Sequence, residues 1–521
     1  MLTIRRRTFL AGAVATSVGA PIIGQPGFAA TPMGFEEARH LLARTTFGAT
    51  PSQIRKFEAL DFTTAVDLLL GDTRPEAVTP SPNWPTTSPA ELVTRQKSIR
   101  SEAVQAQEPP TTQQQATGRM DSSKKPQLLP MKETRRELIS WWIDEMLATN
   151  QPVVERMVLF WHGHFTSSFK KVRFAPSLFR QNELFRREAL GNFATLLGSV
   201  ARDPAMLAYL DGVRNVAGRP NENFARELLE LFTLGEGHYT DADVKAAARA
   251  FTGWSVSRST GEFINRADKH DDGEKSFLGQ NGRFGPTDII AILLKHPRTA
   301  ETIVEKLWVE FVSFRPDPGE VKRLASYFRK DYDIRKLMRE LLMSNAFRDP
   351  ANRASLIKAP IEMVIGTARL LDMPLPLRSG VVQMLDAMGQ VPFEPPNVKG
   401  WIGGENWITT YTFLQRQQFL RRIIETTWVT ASEGMSAKGQ RPSRNAERRQ
   451  MTADDATMQL MDDGTRDTPQ AKLGATLSGN DPMTLLNVLL PRPPVLPLKT
   501  SEMTPASAVT WALLDPAYQL K

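Results

Sequence analysis

From Glu133 to about Thr430 the chain repeats one grammar: a capping residue, an apolar set at helical spacing, then a glycine or proline stop. Asp203-Pro204 places a cap before a proline at the first helical position, and Gly212 is expected to close that helix. Asn221 is expected to cap the next helix and Gly235 to end it. Thr240-Asp241-Ala242-Asp243 reads as a capping-box start. Val244, Ala247, Ala248 and Phe251 then recur at i, i+3, i+4 and i+7, with Gly253 behind them. The same spacing predicts helices over 299–313, 319–328, 333–344, 357–372 and 411–428, and further helices within 35–71. Period-two alternation is scarce, and the best strand signal is a small hairpin around Asp271-Asp272-Gly273. The expected fold is mainly α: a single large multi-helix core with a small β-hairpin and long polar excursions.

The excursions show as changes of composition. Residues 72–130 are dominated by Pro, Thr, Ser and Gln within a core domain expected over 31–430. Residues 431–480 are polar, charged and short of aromatics, as a mobile segment would be. Residues 481–521 regain apolar pairs such as Leu485-Leu486 and Leu513-Leu514 and are expected to dock back on the core.

The first thirty residues read as an address. Arg6-Arg7-Thr8-Phe9-Leu10 precedes a weakly apolar stretch that ends at Ala29-Ala30. A basic start, a short apolar run and a small-residue cleavage site make a secretory signal, and the twin arginine points to the twin-arginine route. Gly19, Pro21, Gly24 and Pro26 interrupt the run well short of the ~20 apolar residues of a membrane span. The expected location is the periplasm or the exterior. Residues 1–30 hold three arginines and no acid, so their removal leaves 62 basic against 57 acidic side chains, a net +5. That remainder is weak and carries no basic, aromatic-studded strip, so nucleic acid is not an expected partner. No later segment is apolar enough to span a bilayer.

The chain has no cysteine. Disulfides, iron–sulfur clusters, thiol nucleophiles and c-type haem attachment are excluded, and any transition metal must take nitrogen and oxygen ligands. Four of the six histidines lie in polar segments: His162 and His164 in Trp161-His162-Gly163-His164-Phe165, then His238 after a glycine-rich turn, and His270 before Asp271. If Gly163 stops a helix, His162 and His164 point the same way, as metal ligands at i, i+2 would; on a continuing helix they diverge by ~200°. His164, His238, His270 and Asp271, with His162 as the weaker member, are the candidate metal ligands. Two imidazoles at a helix end and ordinary turn chemistry are the plain alternative.

The densest polar segment runs from Arg219 to Phe232. Glu222, Asn223, Arg226, Glu227 and Glu230 fall within an arc of about 140°, with an apolar face opposite. Read plainly, this is an amphipathic helix with a solvated face and Glu–Arg pairs. Read functionally, it is a wall of a cleft in which Arg226 binds an anion, Glu227 or Glu230 acts as base or ligand, and Asn221 and Asn223 contact substrate. Trp401 and Trp407, in a loop rich in Pro and Gly, can stack on a sugar ring or brace the core. Nucleophile-elbow, P-loop and dinucleotide fingerprints are absent from the sequence.

At these motifs the chain resembles a large bacterial family known only as domain of unknown function 1800. The resemblance lies in His40-Leu41-Leu42-Ala43-Arg44-Thr45-Thr46-Phe47-Gly48, the Trp161–Phe165 segment and the block from Asn221 to Gly235. It continues in Ala248–Trp254, His270–Lys275, Pro395–Trp401 and Asp515–Tyr518. It implies export, and a co-exported partner of the sulfatase-like family called domain of unknown function 1501, but no activity or catalytic residue. His162 departs from the family pattern, which favours His164. Three functional expectations follow. The first is a hydrolase- or transferase-type enzyme with a His/Glu/Arg-lined cleft, with or without a metal. The others are a helical escort or subunit of that partner, and a cell-surface carbohydrate binder.

Overall fold

Helices begin where the sequence offers a cap. Asp203 accepts a hydrogen bond from the Met206 amide at 2.9 Å, and Thr240 and Asp243 form a reciprocal capping box. Asp317, Asp333, Asp481 and Thr504 cap later helices in the same way. Each cap satisfies amides that the first turn cannot pair internally. The computed structural model describes residues 31–71, 73–84, 86–91, 94, 131–371, 378–436, 480–497 and 503–521. The signal reading of residues 1–30, most of the first polar excursion and nearly all of 431–480 lie outside these residues.

The fold is mainly α. An opening trio, Gly34–Thr45, Pro51–Glu58 and Phe62–Leu70, packs on a central set formed by Met131–Ala148, Pro152–His164, Ala175–Arg187 and Phe193–Ala201. Asn223–Glu227 and Asp241–Ala250 follow, then Pro286–Lys295, Pro297–Phe311, Pro318–Phe328 and Ile334–Leu342. Pro360–Leu370 packs on Met131–Ala148, and Pro482–Leu489 and Pro505–Leu514 pack on each other. Their buried apolar faces share one cluster from Ala38 to Tyr518. The last residues run antiparallel to 356–358: Lys521 N–H donates to the Leu356 carbonyl and Lys358 N–H to the Gln519 carbonyl, both at 2.8 Å. Among the described residues no helix is long and apolar enough to cross a membrane.

Three local expectations are corrected. Two antiparallel strand pairs occur, Trp254–Val256 with Phe263–Asn265 and Lys275–Phe277 with Gln280–Gly282. The second is a tight hairpin, but it turns at Leu278-Gly279, both at positive φ, as a two-residue primed turn demands. Asp271-Asp272-Gly273 precedes it, because the Asp271 carboxylate is taken by Arg249 at 2.8 and 3.0 Å. Asp211, not Gly212, adopts the left-handed conformation that ends Pro204–Tyr209. Gly163 does not stop its helix, which runs on to His164.

One glycine contact ties the segment after the first helix to Pro360–Leu370. An added Cβ on Gly366, inside Pro360–Leu370, would collide with the Phe47 carbonyl oxygen. Helix propensity alone makes Gly→Ala in a helix stabilising by about 1 kcal/mol. Here the backbone collision reverses the sign. Gly366→Ala is expected to destabilise by about 2–3 kcal/mol, the cost of overpacking a rigid core. Urea unfolding that showed a gain in stability would refute the contact.

Candidate functional site: a charged cavity between two helices

Two helices with stripes at matching spacing frame a cavity of about 680 Å³. Pro152–His164 contributes Arg156, Leu159, Phe160, Gly163 and His164, at i, i+3, i+4, i+7 and i+8. Pro297–Phe311 contributes Arg298, Glu301, Glu305, Lys306, Val309 and Glu310. The loop carrying Trp401, Ile402 and Trp407 closes one side. It can lie on the helix because residue 400 is glycine: its φ is +76° and a Cβ there would strike the Gly163 carbonyl. Trp401 packs 5.6 Å from the His162 ring on its inner side, while Ile402 is 74% exposed at the rim.

The floor is an ionic node. Arg156, 1% exposed, pairs with Glu310 and Glu362, and Lys521 lies 2.5 Å from Glu362 and 3.5 Å from Glu310. The Glu310 side chain keeps 35% of its surface accessible while it lines the cavity. Burial pushes its pKa up, but Lys521 and Arg156 outweigh burial and hold it below the usual carboxylate range.

The wall carries a lysine–histidine contact. Lys306 Nζ donates to the Leu231 carbonyl at 2.7 Å and is hydrogen-bonded to His164 Nδ1 at 3.0 Å, with Nδ1 the acceptor when the ring proton sits on Nε2. Burial lowers the Lys306 pKa to about 8. Burial, and then the adjacent Lys306 charge, push His164 well below its ordinary value, so its imidazole is neutral at pH 7. Arg298 grips Glu305 at 2.8 and 3.0 Å and donates to the Leu234 carbonyl.

Those carbonyls come from the Asn221–Gly235 block. After Asn223–Glu227 the helix widens into a π-turn over Leu228–Thr233, with Leu234 N–H bonded to the Leu229 carbonyl. Two cations of the neighbouring helix sit at its negative C-terminal end, as the helix dipole favours. The block therefore meets the cavity wall through its backbone. Its polar arc does not line the cavity.

The structure separates most of the residues singled out in the sequence. His164, Trp401 and Trp407 line the cavity. Arg226 lies at the surface, paired with Glu222 and Asp241 at 3.1 and 3.4 Å. Glu230 accepts from the Tyr239 hydroxyl at 2.8 Å and lies 3.8 Å from Lys399 at the cavity edge. Burial and then Glu230 raise the pKa of Glu227. Asn221 accepts from the Asn223 amide, and Asn223 lies 3.4 Å from Asp211. His162 faces the other side of its helix, buried against Trp142 and Phe393. His238 is exposed, and His270 bonds the Thr252 carbonyl beside the Arg249–Asp271 pair. The single cleft of Arg226, Glu227, Glu230, His164, His238 and His270 is thus not assembled. Among the described residues no three His, Asp or Glu side chains converge as metal ligands.

Sequence reasoning missed Arg156, Arg298, Lys306, Glu310, Glu362 and Lys521. The signal was present in the alternation of charge along 298–310, but a charged stripe at that spacing also describes a solvated helix face.

With this geometry in view, the chain belongs to the family described as Protein of unknown function (DUF1800), which it matches over residues 40–520. Neither a curated protein nor a solved structure matches it.

Three buried histidines make stability pH-dependent. Burial lowers His40 and His162 to about 3 each and His164 well below the usual value. The unfolded chain takes up their protons first, near pH 6.5, and the folded chain resists. Their contribution is full above pH 6.5 and is lost as pH falls towards about 3. Each should add a slope of about 1.4 kcal/mol per pH unit between pH 6 and 5. Urea titrations at both values should show it, and His162→Leu should reduce the slope by one proton's worth. A flat stability between pH 6 and 5 would contradict neutral burial.

Proposed function

We propose that the protein is an exported enzyme of the hydrolase or transferase type, with the cavity between Pro152–His164 and Pro297–Phe311 as its active site. The supporting observation is Lys306, an amine that lines the cavity beside a neutral His164 and, among the described residues, is hydrogen-bonded only to neutral groups. Lysines in such surroundings are matched to base or nucleophile chemistry near neutral pH. Charge selects the substrate. Arg156, Arg298, Lys322, Lys399 and Lys521 line the cavity against Glu301, Glu305, Glu310 and Glu362, a net positive wall even with Lys306 and His164 neutral. Phe160, Trp401 and Trp407 add flat apolar surface for a ring. An acidic sugar or a similar ring-bearing anion fits both properties, so sugar binding through Trp401 and Trp407 belongs to this same site.

Titration calorimetry tests the ligand class. Glucuronate is expected to bind at least about tenfold more tightly than glucose, roughly 1.4 kcal/mol. Lys399→Met should weaken glucuronate and leave glucose little changed. Equal affinities, or binding of neither sugar, would remove the reading.

Export through the twin-arginine route belongs to the same proposal, supported by Arg6-Arg7-Thr8-Phe9-Leu10 ahead of a mildly apolar stretch. Replacing Arg6 and Arg7 by lysine should leave the precursor in the cytoplasm on cell fractionation. Undiminished export would rule the route out.

A further inference from the structure

We propose that Lys306 is an imine-forming nucleophile, and that the ligand of the cavity carries an aldehyde or ketone next to its anionic group. The inference rests on the cavity being the active site and names the bond made there.

A neutral lysine amine has two N–H donors and one lone pair, whereas an ammonium has three donors and no lone pair. Lys306 Nζ donates to the Leu231 carbonyl at 2.7 Å, and in the tautomer that carries the ring proton on Nε2 it also donates to His164 Nδ1 at 3.0 Å, which makes two acceptors. Among the described residues no carboxylate lies within ion-pair distance of it, although Glu301, Glu305 and Glu310 stand on the same helix. Those carboxylates are engaged elsewhere, by Arg298 in two cases and by Arg156 with Lys521 in the third. Two acceptors satisfy both hydrogens of the neutral amine and leave its lone pair free. An ammonium in the same place has a third hydrogen without a partner among the described residues. The surroundings therefore favour the nucleophilic form, which agrees with the direction in which burial moves this group.

The acceptors are built in. The Leu231 carbonyl lies within the π-turn, where the wider ring alters the pairing of helix carbonyls. His164 is fixed among Phe160, Phe165 and Phe232, so its Nδ1 cannot swing away. Lys306 is only partly buried and lines the cavity, so a ligand can reach it. Arg298, about two helical turns away on the same face, and Lys399 across the mouth supply cationic groups for the ligand's anion.

The step balances without an outside redox partner. The Nζ lone pair attacks the carbonyl carbon and the C=O π-bond breaks to give a carbinolamine. The carbonyl oxygen then leaves as water with the two amine hydrogens, and a C=N bond to Nζ remains.

Glyoxylate, the smallest carboxylate-bearing aldehyde, with cyanoborohydride as trap, tests this on the whole chain. Peptide mass spectrometry is expected to find a carboxymethyl group on Lys306 at least tenfold faster than on Lys399, which is 62% exposed, or on Lys322. The Lys306 rate should rise between pH 7 and 9. Glucuronate, if bound, should slow it. Lys306→Arg should lose the fast site while keeping its melting temperature. A Lys306 that stays unlabelled in the folded protein, or labels no faster than Lys399, overturns the proposal. The wild-type rate ratio needs no variant to fold. It also does not depend on sugar binding, so failure of the sugar titration and failure of the imine are separate results.

Discussion

Arg156 brings a full positive charge into the core, and much of the molecule is arranged around it. Its guanidinium has Phe47 and Phe311 at 5.8 and 5.9 Å, and it reaches Glu310 and Glu362 on two helices distant in sequence. Lys521 closes the node from the end of the described chain. Four segments are thus held by one set of ion pairs. Such a node is weak evidence for net stability, because desolvation opposes the Coulomb gain. Removing a single partner is another matter, since it strands the remaining charges at a cost of about 3–5 kcal/mol. Its larger effect is on shape. Glu310 can pair with Arg156 only if Pro297–Phe311 lies beside Pro152–His164 in one register, and that register aligns the two stripes that become the cavity walls.

The same alignment brings Lys306 onto the carbonyl end of the Asn221–Gly235 block. That block reads in sequence as a helix with a polar face worth chemical attention. In the structure its apolar side chains Phe224, Leu228, Leu229 and Phe232 are buried, and its arc of charge forms surface pairs. What it contributes to the site is backbone: a π-turn whose carbonyls receive Lys306, with Arg298 and Thr302 bonded to the Leu234 carbonyl just beyond it. A side-chain reading of sequence is blind to this, because helix periodicity is the same whether a turn closes over four residues or five until the ring has been counted.

This separates what was legible from what was not. Caps and helix spacing are local, and they located several helices of the described chain to within a few residues, including 297–311 and 318–328, whereas the stops expected at Gly163 and Gly212 did not hold. His164, Trp401 and Trp407 were legible as members of unusual local segments, and all three line the cavity. Arg156, Glu362 and Lys521 were not, because each is an ordinary charged residue until a long-range contact removes it from water. Arg156 and Glu362 are 206 positions apart in the chain, so nothing local marks them as partners. The hairpin was displaced by the same kind of event: Asp271 is claimed by Arg249 from another element, and the turn passes to Leu278-Gly279.

The polar floor also explains why there is a cavity at all. Helices with apolar stripes at this spacing would close on one another and fill the space with side chains. Replacing a buried ionic node by well-packed apolar groups is often neutral or stabilising, so stability alone gives no reason to keep Arg156, Glu310, Glu362 and Lys521 together. Charged side chains need solvation from each other, from water or from a ligand, and Glu310 retains accessible surface beside a partner that is fully buried. The node therefore holds the helices in register while keeping the space between them wet. An opening of that kind, with an amine on its wall and tryptophans at its edge, is what a polar ligand requires.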